Sequence, residues 1–473
     1  MSAKSAANIM LGVALGATLG YKLYPSFEGN HIRHNLIRNM DLQRIQVGGH
    51  GILKRLGKHC YDRFTKPITG GFYPSIKLPS MENLILRESY LSSVSFKDKI
   101  PNWVAERITD ETCNGVAERA NCIFQVDPDV PLIWSAENKD YFASGYSRGH
   151  MAAAGQHKET ATSQSDTFYL SGNILPQDLS NNGGDWYRLE LISRELTKYY
   201  QDVYVVSGPL FAPNHMRSQD FIKLAQNLEN IKRETPPKDA FGQICVIHKK
   251  DVLDKARELG DERKINPKLV VKSDIRDTSV ETVTYKVIGD KLVSVPTHLF
   301  KIILAVNPKK VQNNNTQPIA FGSFIMRNEP ENKRYLISDY MVPLKSIEII
   351  TGLDFSGIKE FAINYLKANI PKKEFKKLLK YQGHDGVESI YSICNVRDTL
   401  KHGTNAQSIC IDKDSDRVEA WRHLGYIKLS KTKQELEELW SKIKKVGYDK
   451  ENIFLRKEYV DKCKSLGMDP EEF

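Results

Sequence analysis

The sequence predicts an α+β fold, on three observations. Five runs rich in β-branched residues and bounded by Gly or Pro, at 202–208, 283–289, 292–295, 299–306 and 319–326, read as sheet strands. After Gly183-Gly184, the residues Trp186, Leu189, Leu196 and Tyr200 recur at helical spacing, the stripe of a helix that faces a core. Beyond about Gly357 the composition becomes charged and helix-forming, and it ends in two amphipathic stretches at 431–446 and 453–466.

The chain opens on a segment, 1–24, in which Lys4 and no acid precede an apolar run from Ala6 to Tyr21. Gly12, Gly16 and Gly20 recur every fourth residue and leave one helix face nearly bare for another helix. The run is slightly short of the ~17–25 residues of a spanning helix, but Lys4 and Lys22 could snorkel. It reads as an uncleaved mitochondrial signal-anchor, a membrane contact, with a cleaved targeting peptide as the alternative. Residues 25–80 form a basic, Gly- and Pro-punctuated tether. Residues 81–95 alternate enough for one strand or a short helix, and periodicity does not choose. Residues 211–278 read as a surface insertion with a Lys/Glu-rich helical piece at 252–264, and 307–317 as a polar loop tip.

A chain of 473 residues exceeds one compact core, and ~100–200 residues per domain implies two or three units. The net charge of +10 and a pI near 9.0 suit a polyanionic partner, nucleic acid or an acidic membrane surface, without choosing between them. The 7 cysteines are odd in number and lack Cys-x-x-Cys spacing, so neither a disulfide framework nor a zinc knuckle is expected. They read as buried small hydrophobes.

Chemistry concentrates between Tyr146 and Glu190. Hydrolysing a phosphodiester needs a base for water, a divalent cation for the leaving oxygen, and positive charge on the phosphate. His150, Asn182, Glu190 and Arg148 can supply that set. Arg148 lies two residues from His150 and so shares its face if the segment is a strand. Asn182 reads as a helix start, and Glu190, eight residues on, returns to within ~80° of the same side, so both can face one ion. The blander alternatives are an N-cap for Asn182 and a surface carboxylate for Glu190. His157 has no partner at metal spacing and reads as an ordinary surface histidine.

Arg148-Gly-His150, Asn173-Ile-Leu-Pro-Gln177 and Asn182-Gly-Gly-Asp-Trp-Tyr-Arg-Leu-Glu190 resemble, in order and spacing, the signature of the ββα-metal DNA/RNA non-specific nucleases. Ser147 in place of the commoner Asp, together with Arg194-Glu-Leu-Thr197 and the run 202–209, resembles the mitochondrial exo/endonuclease G-like branch. The resemblance covers roughly 101–355 apart from the insertion, and continues weakly to the C-terminus.

That resemblance implies a ββα-metal nuclease domain over 81–365 with a central antiparallel sheet, followed by a small helical wing-like domain, 366–473, that shapes a cleft around a DNA end. It implies that 101–109 is the first core strand, that 140–146 is a strand leading to the site, and that 340–355 supplies a closing helix and strand. The Cys-containing block 391–399 is similar to one in the same branch. Asn182 would be the one direct protein ligand of Mg²⁺, with Mn²⁺ able to substitute, and Glu190 would reach the ion through water. His150 would be the general base, with Arg148 and Arg119 on the phosphate. The resemblance also implies DNA and RNA as substrates, a homodimer, and a place at the mitochondrial inner membrane facing the intermembrane space.

The function expected is therefore metal-dependent, sequence-nonspecific cleavage that leaves 5′-phosphates, with 5′-exonuclease and endonuclease modes. Activity should fall as His150 protonates, and binding should weaken with salt. The alternative is a catalytically weak, membrane-tethered DNA-binding or scaffold protein. Two departures from the family pattern, Ala153 where Pro is common and Gly155-Gln-His157 in place of an Asn-bearing loop, remove no catalytic atom.

Overall fold

The computed structural model describes residues 76–80, 82–233, 282–309, 317–380, 386–397, 408–411 and 416–470. The anchor segment, most of the tether, the helical piece at 252–264 and the tip of the loop at 307–317 lie outside them. Among the described residues no helix is long and apolar enough to cross a membrane.

The described residues contain twelve strands, in chain order β1 (Leu84–Leu86), β2 (Leu91–Ser95), β3 (Ile100–Ile108), β4 (Gln125–Val126), β5 (Ser147–His150), β6 (Tyr169–Leu170), β7 (Ile174–Gln177), β8 (Tyr200–Leu210), β9 (Val287–Ile288), β10 (Val293–Ser294), β11 (His298–Pro308) and β12 (Ala320–Arg327). Six of them make one antiparallel sheet in the order β1-β2-β3-β8-β11-β12. A small four-stranded sheet, β4-β6-β7-β5, carries the signature histidine. The segment 81–95, read as one strand or a helix, is instead the hairpin β1-β2, because four residues between the strands turn the chain back on itself. The run 283–289 forms only the short β9, paired with β10.

Among the described residues, nine helices of eight residues or more, or bearing on the site, are numbered α1 (Leu179–Gly183), α2 (Asp185–Leu196), α3 (Ser218–Arg233), α4 (Leu344–Thr351), α5 (Ser356–Asn369), α6 (Lys372–Lys380), α7 (Asp416–Leu429), α8 (Lys433–Val446) and α9 (Ile453–Ser465). The helix expected to reach Tyr200 stops at Leu196, and Tyr200 opens β8. The expected closing strand near 351–355 does not form: Gly352, at φ 69°, ends α4, and α5 begins at Ser356. Residues 140–146 are also not a strand, since Asn138–Tyr141 is a helical turn and the chain then bends through Ala143 and Gly145 at positive φ into β5.

Strand alternation sends side chains to the two faces of the large sheet. One face gathers Trp103, Ala105, Phe300, Ile302 and Leu304 under α4, α5 and α6, through Leu344, Ile347, Ile358, Leu366 and Leu378. The other gathers Val104, Val203, Val205, Leu299 and Ile303 under the small sheet and under Trp186, Leu189 and Leu196 of α2. A separate cluster, with Leu424, Leu436, Trp440, Leu455 and Tyr459, is the core of α7, α8 and α9. Helix α5 runs through the position 365/366.

Among the described residues two cysteines pair, against the sequence reading: Cys394 and Cys410 form a disulfide with Cα atoms 5.2 Å apart. They stand 16 positions apart in sequence, a spacing that carries no recognisable signature. Cys113 and Cys463 are buried thiols and Cys122 is half-buried.

Candidate active site

The site is built on β5. Its pairing with β7 sets Ser147 opposite Gln177 and His150 opposite Ile174. Gly149 is required here: a Cβ on it would lie 2.1 Å from Gln177 Oε1 and 2.6 Å from Gln177 Cβ. Gln177 in turn donates from Nε2 to Asn181 Oδ1 at 2.7 Å. The motif Asn173 ties the chain just past His150, since its Oδ1 accepts from the Ala152 N–H at 2.8 Å and its Nδ2 donates to the Ala152 carbonyl at 2.9 Å. Asn173, Gln177 and Gly149 therefore hold the framework of the signature.

His150 ends β5 and is buried between Phe168, whose ring meets it edge-on at 4.8 Å, and Phe124 at 5.4 Å. Burial, then Arg119, then Arg148 press its imidazole down to about 3. It is therefore neutral at any ordinary pH, through desolvation and two nearby cations. Its Nε2 is buried and has no hydrogen-bond partner among the described residues. Arg148 lies over the Phe124 ring at 4.2 Å and donates to Asn138 Oδ1 at 2.6 Å, while Arg119 is exposed, 5.7 Å from the Phe168 ring centre. Both guanidiniums thus stand on aromatic rings that flank the histidine.

Asn182 is not the start of the long helix. It sits in the five-residue α1, whose N-cap is Asp178, and Gly184 breaks the chain before α2 begins at Asp185. Asn182 Nδ2 donates to Ser147 Oγ at 3.0 Å, and Ser147 donates its own hydroxyl proton to the Gln177 carbonyl at 2.8 Å. The amide is fixed through its nitrogen, and Oδ1 is left to accept.

Glu190 lies on the other helix, so the one-helix phase argument for the pair does not apply. Its carboxyl is buried rather than on the surface, and burial raises it to about 7, against the lowering influence of Lys301 and then Arg194. Arg119 also acts on it, which places Glu190 and His150 in one electrostatic neighbourhood. Arg119 and Arg148 thus act on His150, Arg119 acts on Glu190 as well, and Asn182 is tied to β5 through Ser147, which alternation sets on the other face of the strand from Arg148 and His150.

Beneath them lies a buried charged layer that the sequence reading missed. Lys301 Nζ stands 4.4 Å over the Trp186 ring and donates to Ser207 Oγ at 2.7 Å, and burial lowers its pKa. Glu106 Oε2 meets His157 Nε2 at 2.6 Å, both side chains 1% exposed. His157 is thus a core residue, not a surface one, because the loop after β5 folds inward onto β3. The available signal was a charge inside an apolar strand, as in Trp103-Val-Ala-Glu106 and Leu299-Phe-Lys301. Alternation places Glu106 and Lys301 on the sheet face that α2 covers.

The family model described as "DNA/RNA non-specific endonuclease" matches residues 69–357, a span that takes in the large sheet, the His150 strand and the α1-α2 pair, and the chain belongs to that family. Within it, the chain is an exo/endonuclease G-like nuclease. It is 32% identical over 311 residues to "Nuclease EXOG, mitochondrial" of Homo sapiens, covering 64% of this chain and 67% of that one. It is 30% identical over 278 residues to "Endonuclease G, mitochondrial" of Homo sapiens, 59% of this chain and 71% of the relative. "Mitochondrial nuclease" of Saccharomyces cerevisiae is 31% identical over 271 residues, 57% and 64% of the two chains.

The family implies a divalent metal, and the donors fit one. Asn182 Oδ1 and the Glu190 carboxylate are oxygen donors, the chemistry of a hard cation that keeps much of its water. Among the described residues no group of three or more His, Cys, Asp or Glu could hold a metal.

Proposed function

We propose that this chain hydrolyses phosphodiester bonds of DNA and RNA without sequence preference, with His150 as general base. The observation that carries the reading is the buried, unpartnered Nε2 of a histidine held neutral beside two arginines. A neutral imidazole can take a proton from water at Nε2 as the water attacks phosphorus in line. The same two cations that keep it neutral neutralise the non-bridging phosphate oxygens, where charge builds in the transition state. Ser147 orients the Asn182 amide, and Glu190, when ionised, accepts hydrogen bonds from water at the site. Asn182 Oδ1 would hold Mg²⁺, or Mn²⁺ in its place, which when bound would supply positive charge for the departing 3′-oxygen, and cleavage on that side would keep the phosphate at the 5′ end.

The relatives' names support a mitochondrial setting, and attachment to the inner membrane through the apolar segment between Ala6 and Tyr21 rests on the resemblance alone. A homodimer and 5′-exonuclease trimming belong to the same reading and rest on the resemblance alone. The test is cleavage of a 5′-labelled duplex by the parent and by His150→Ala, with Mg²⁺ or Mn²⁺. The variant should lose about 10²–10⁴-fold in rate while still binding DNA. Equal cutting by both proteins would remove His150 from the mechanism. Binding without cutting by either would favour the scaffold reading.

A further inference from the structure

We propose that the C-terminal three-helix unit positions the metal ligand: α7 clamps the short helix α1 from outside and so fixes Asn182. The inference rests on the assignment of Asn182 to the ion. Helix α1 has five residues, far too few to hold its shape alone, and it runs into Gly183 and Gly184. Its inner side is pinned by Gln177 to Asn181 and by Ser147 to Asn182. Its outer side is covered by α7.

Each part of α1 meets a different residue of that helix. Gly183, next to Asn182, lies so close under Trp421 that a Cβ would come within 2.3 Å of the indole. Lys428 Nζ donates to Asp178 Oδ2 at 2.8 Å, while Oδ1 of the same carboxylate caps α1 by accepting from the Ser180 and Asn181 N–H groups at 2.9 and 3.1 Å. Arg422 reaches Asp185 Oδ1, just past the helix break, at 3.4 Å. Leu179, the first residue of α1, packs on the apolar core of the C-terminal unit itself. The N-cap, the first apolar residue, the glycine beside the ligand and the start of α2 are therefore all set by residues more than 200 positions away.

A site with one direct protein ligand depends on where that one oxygen stands. Metal sites lose about 10–100-fold in affinity when the groups that orient their ligands are removed. A clamp predicts a defect in ion binding that excess ion repairs, whereas plain packing predicts lower thermal stability with ion binding intact.

The experiment is Mn²⁺ titration of the full chain, followed by the electron paramagnetic resonance of the free ion. It compares the parent with Trp421→Ala, Trp421→Phe, Lys428→Met and Asn182→Ala, each checked for fold by circular dichroism. Expected is a loss of about 10-fold in Mn²⁺ affinity for Trp421→Ala and Lys428→Met, with Trp421→Phe within about twofold of the parent. Cleavage by the two weakened variants should recover at saturating Mg²⁺, as a rise in the half-saturating ion concentration without a fall in kcat. Should Asn182→Ala abolish Mn²⁺ binding while Trp421→Ala and Lys428→Met keep the parent's affinity, α7 is packing only and the inference fails. Should Asn182→Ala bind Mn²⁺ as the parent does, the ligand assignment itself falls and takes the inference with it. Lys428→Met leaves the apolar core intact, so the result stands even if Trp421→Ala misfolds.

Discussion

Gly149→Ala is a one-carbon change with a large expected cost. The added methyl would lie 2.1 Å from Gln177 Oε1 and 2.6 Å from its Cβ, and the second contact cannot be relieved by swinging the amide alone. Overpacking of this kind costs about 1–3 kcal/mol. A displaced Gln177 also gives up its 2.7 Å bond to the buried Asn181, which adds about 1 kcal/mol. A total of about 3 kcal/mol lowers Tm by roughly 3 °C in a chain of this length. Calorimetry of Gly149→Ala, Gln177→Ala and the double variant tests the reasoning. Removing the Gln177 side chain makes room for the methyl, so the double variant should be at least about 1 kcal/mol more stable than the sum of the singles implies. A Tm for Gly149→Ala within a degree of the parent, or strict additivity, would refute the steric account of the Arg-Gly-His glycine.

Since His150 is pressed down to about 3 and Glu190 raised to about 7, the acid limb of cleavage belongs to Glu190. The rate should rise with pH up to about 7 as Glu190 ionises and then level off, and Glu190→Gln should abolish that limb. More divalent ion should move the limb to lower pH, because cation and proton compete for the same charge; a limb unchanged in Glu190→Gln would assign it elsewhere. His157→Leu strands the Glu106 carboxylate in the core and should cost about 3 kcal/mol in urea unfolding, with Glu106→Leu beside it restoring much of the loss. Cys410→Ser should cost about 3 kcal/mol without reductant, from the loop its disulfide closes, and nothing in its presence. Equal stability of parent and variant in both conditions would show that the bridge contributes nothing.

The signature was legible because its chemistry is local in sequence. Arg148, His150, Asn182 and Glu190 could be chosen from the sequence, and the structure sets Arg119 and Arg148 to act on His150, buries Glu190 where Arg119 also acts on it, and ties Asn182 to Ser147. The helix holding Asn182 was misread because a periodicity count passes smoothly over Gly184, whereas the backbone there turns to φ −99°, ψ −110° and separates two helices. His157 was misread for a related reason. Nothing within a few residues of it is a partner, and Glu106 lies 51 residues upstream.

By itself the sequence determined the element types over most of the sheet, the family, and the residues able to act on a phosphodiester, since alternation, turn chemistry and motif spacing are properties of neighbouring residues. Only the tertiary structure decided the protonation of those residues. Burial between Phe124 and Phe168 keeps His150 neutral, and burial above Lys301 makes Glu190 titrate near neutrality. It also decided that the disulfide pairs Cys394 with Cys410, and that α7 rests on the helix of Asn182. Desolvation, charge proximity and packing depend on which distant segments meet, and that is fixed by the fold as a whole rather than by any local stretch.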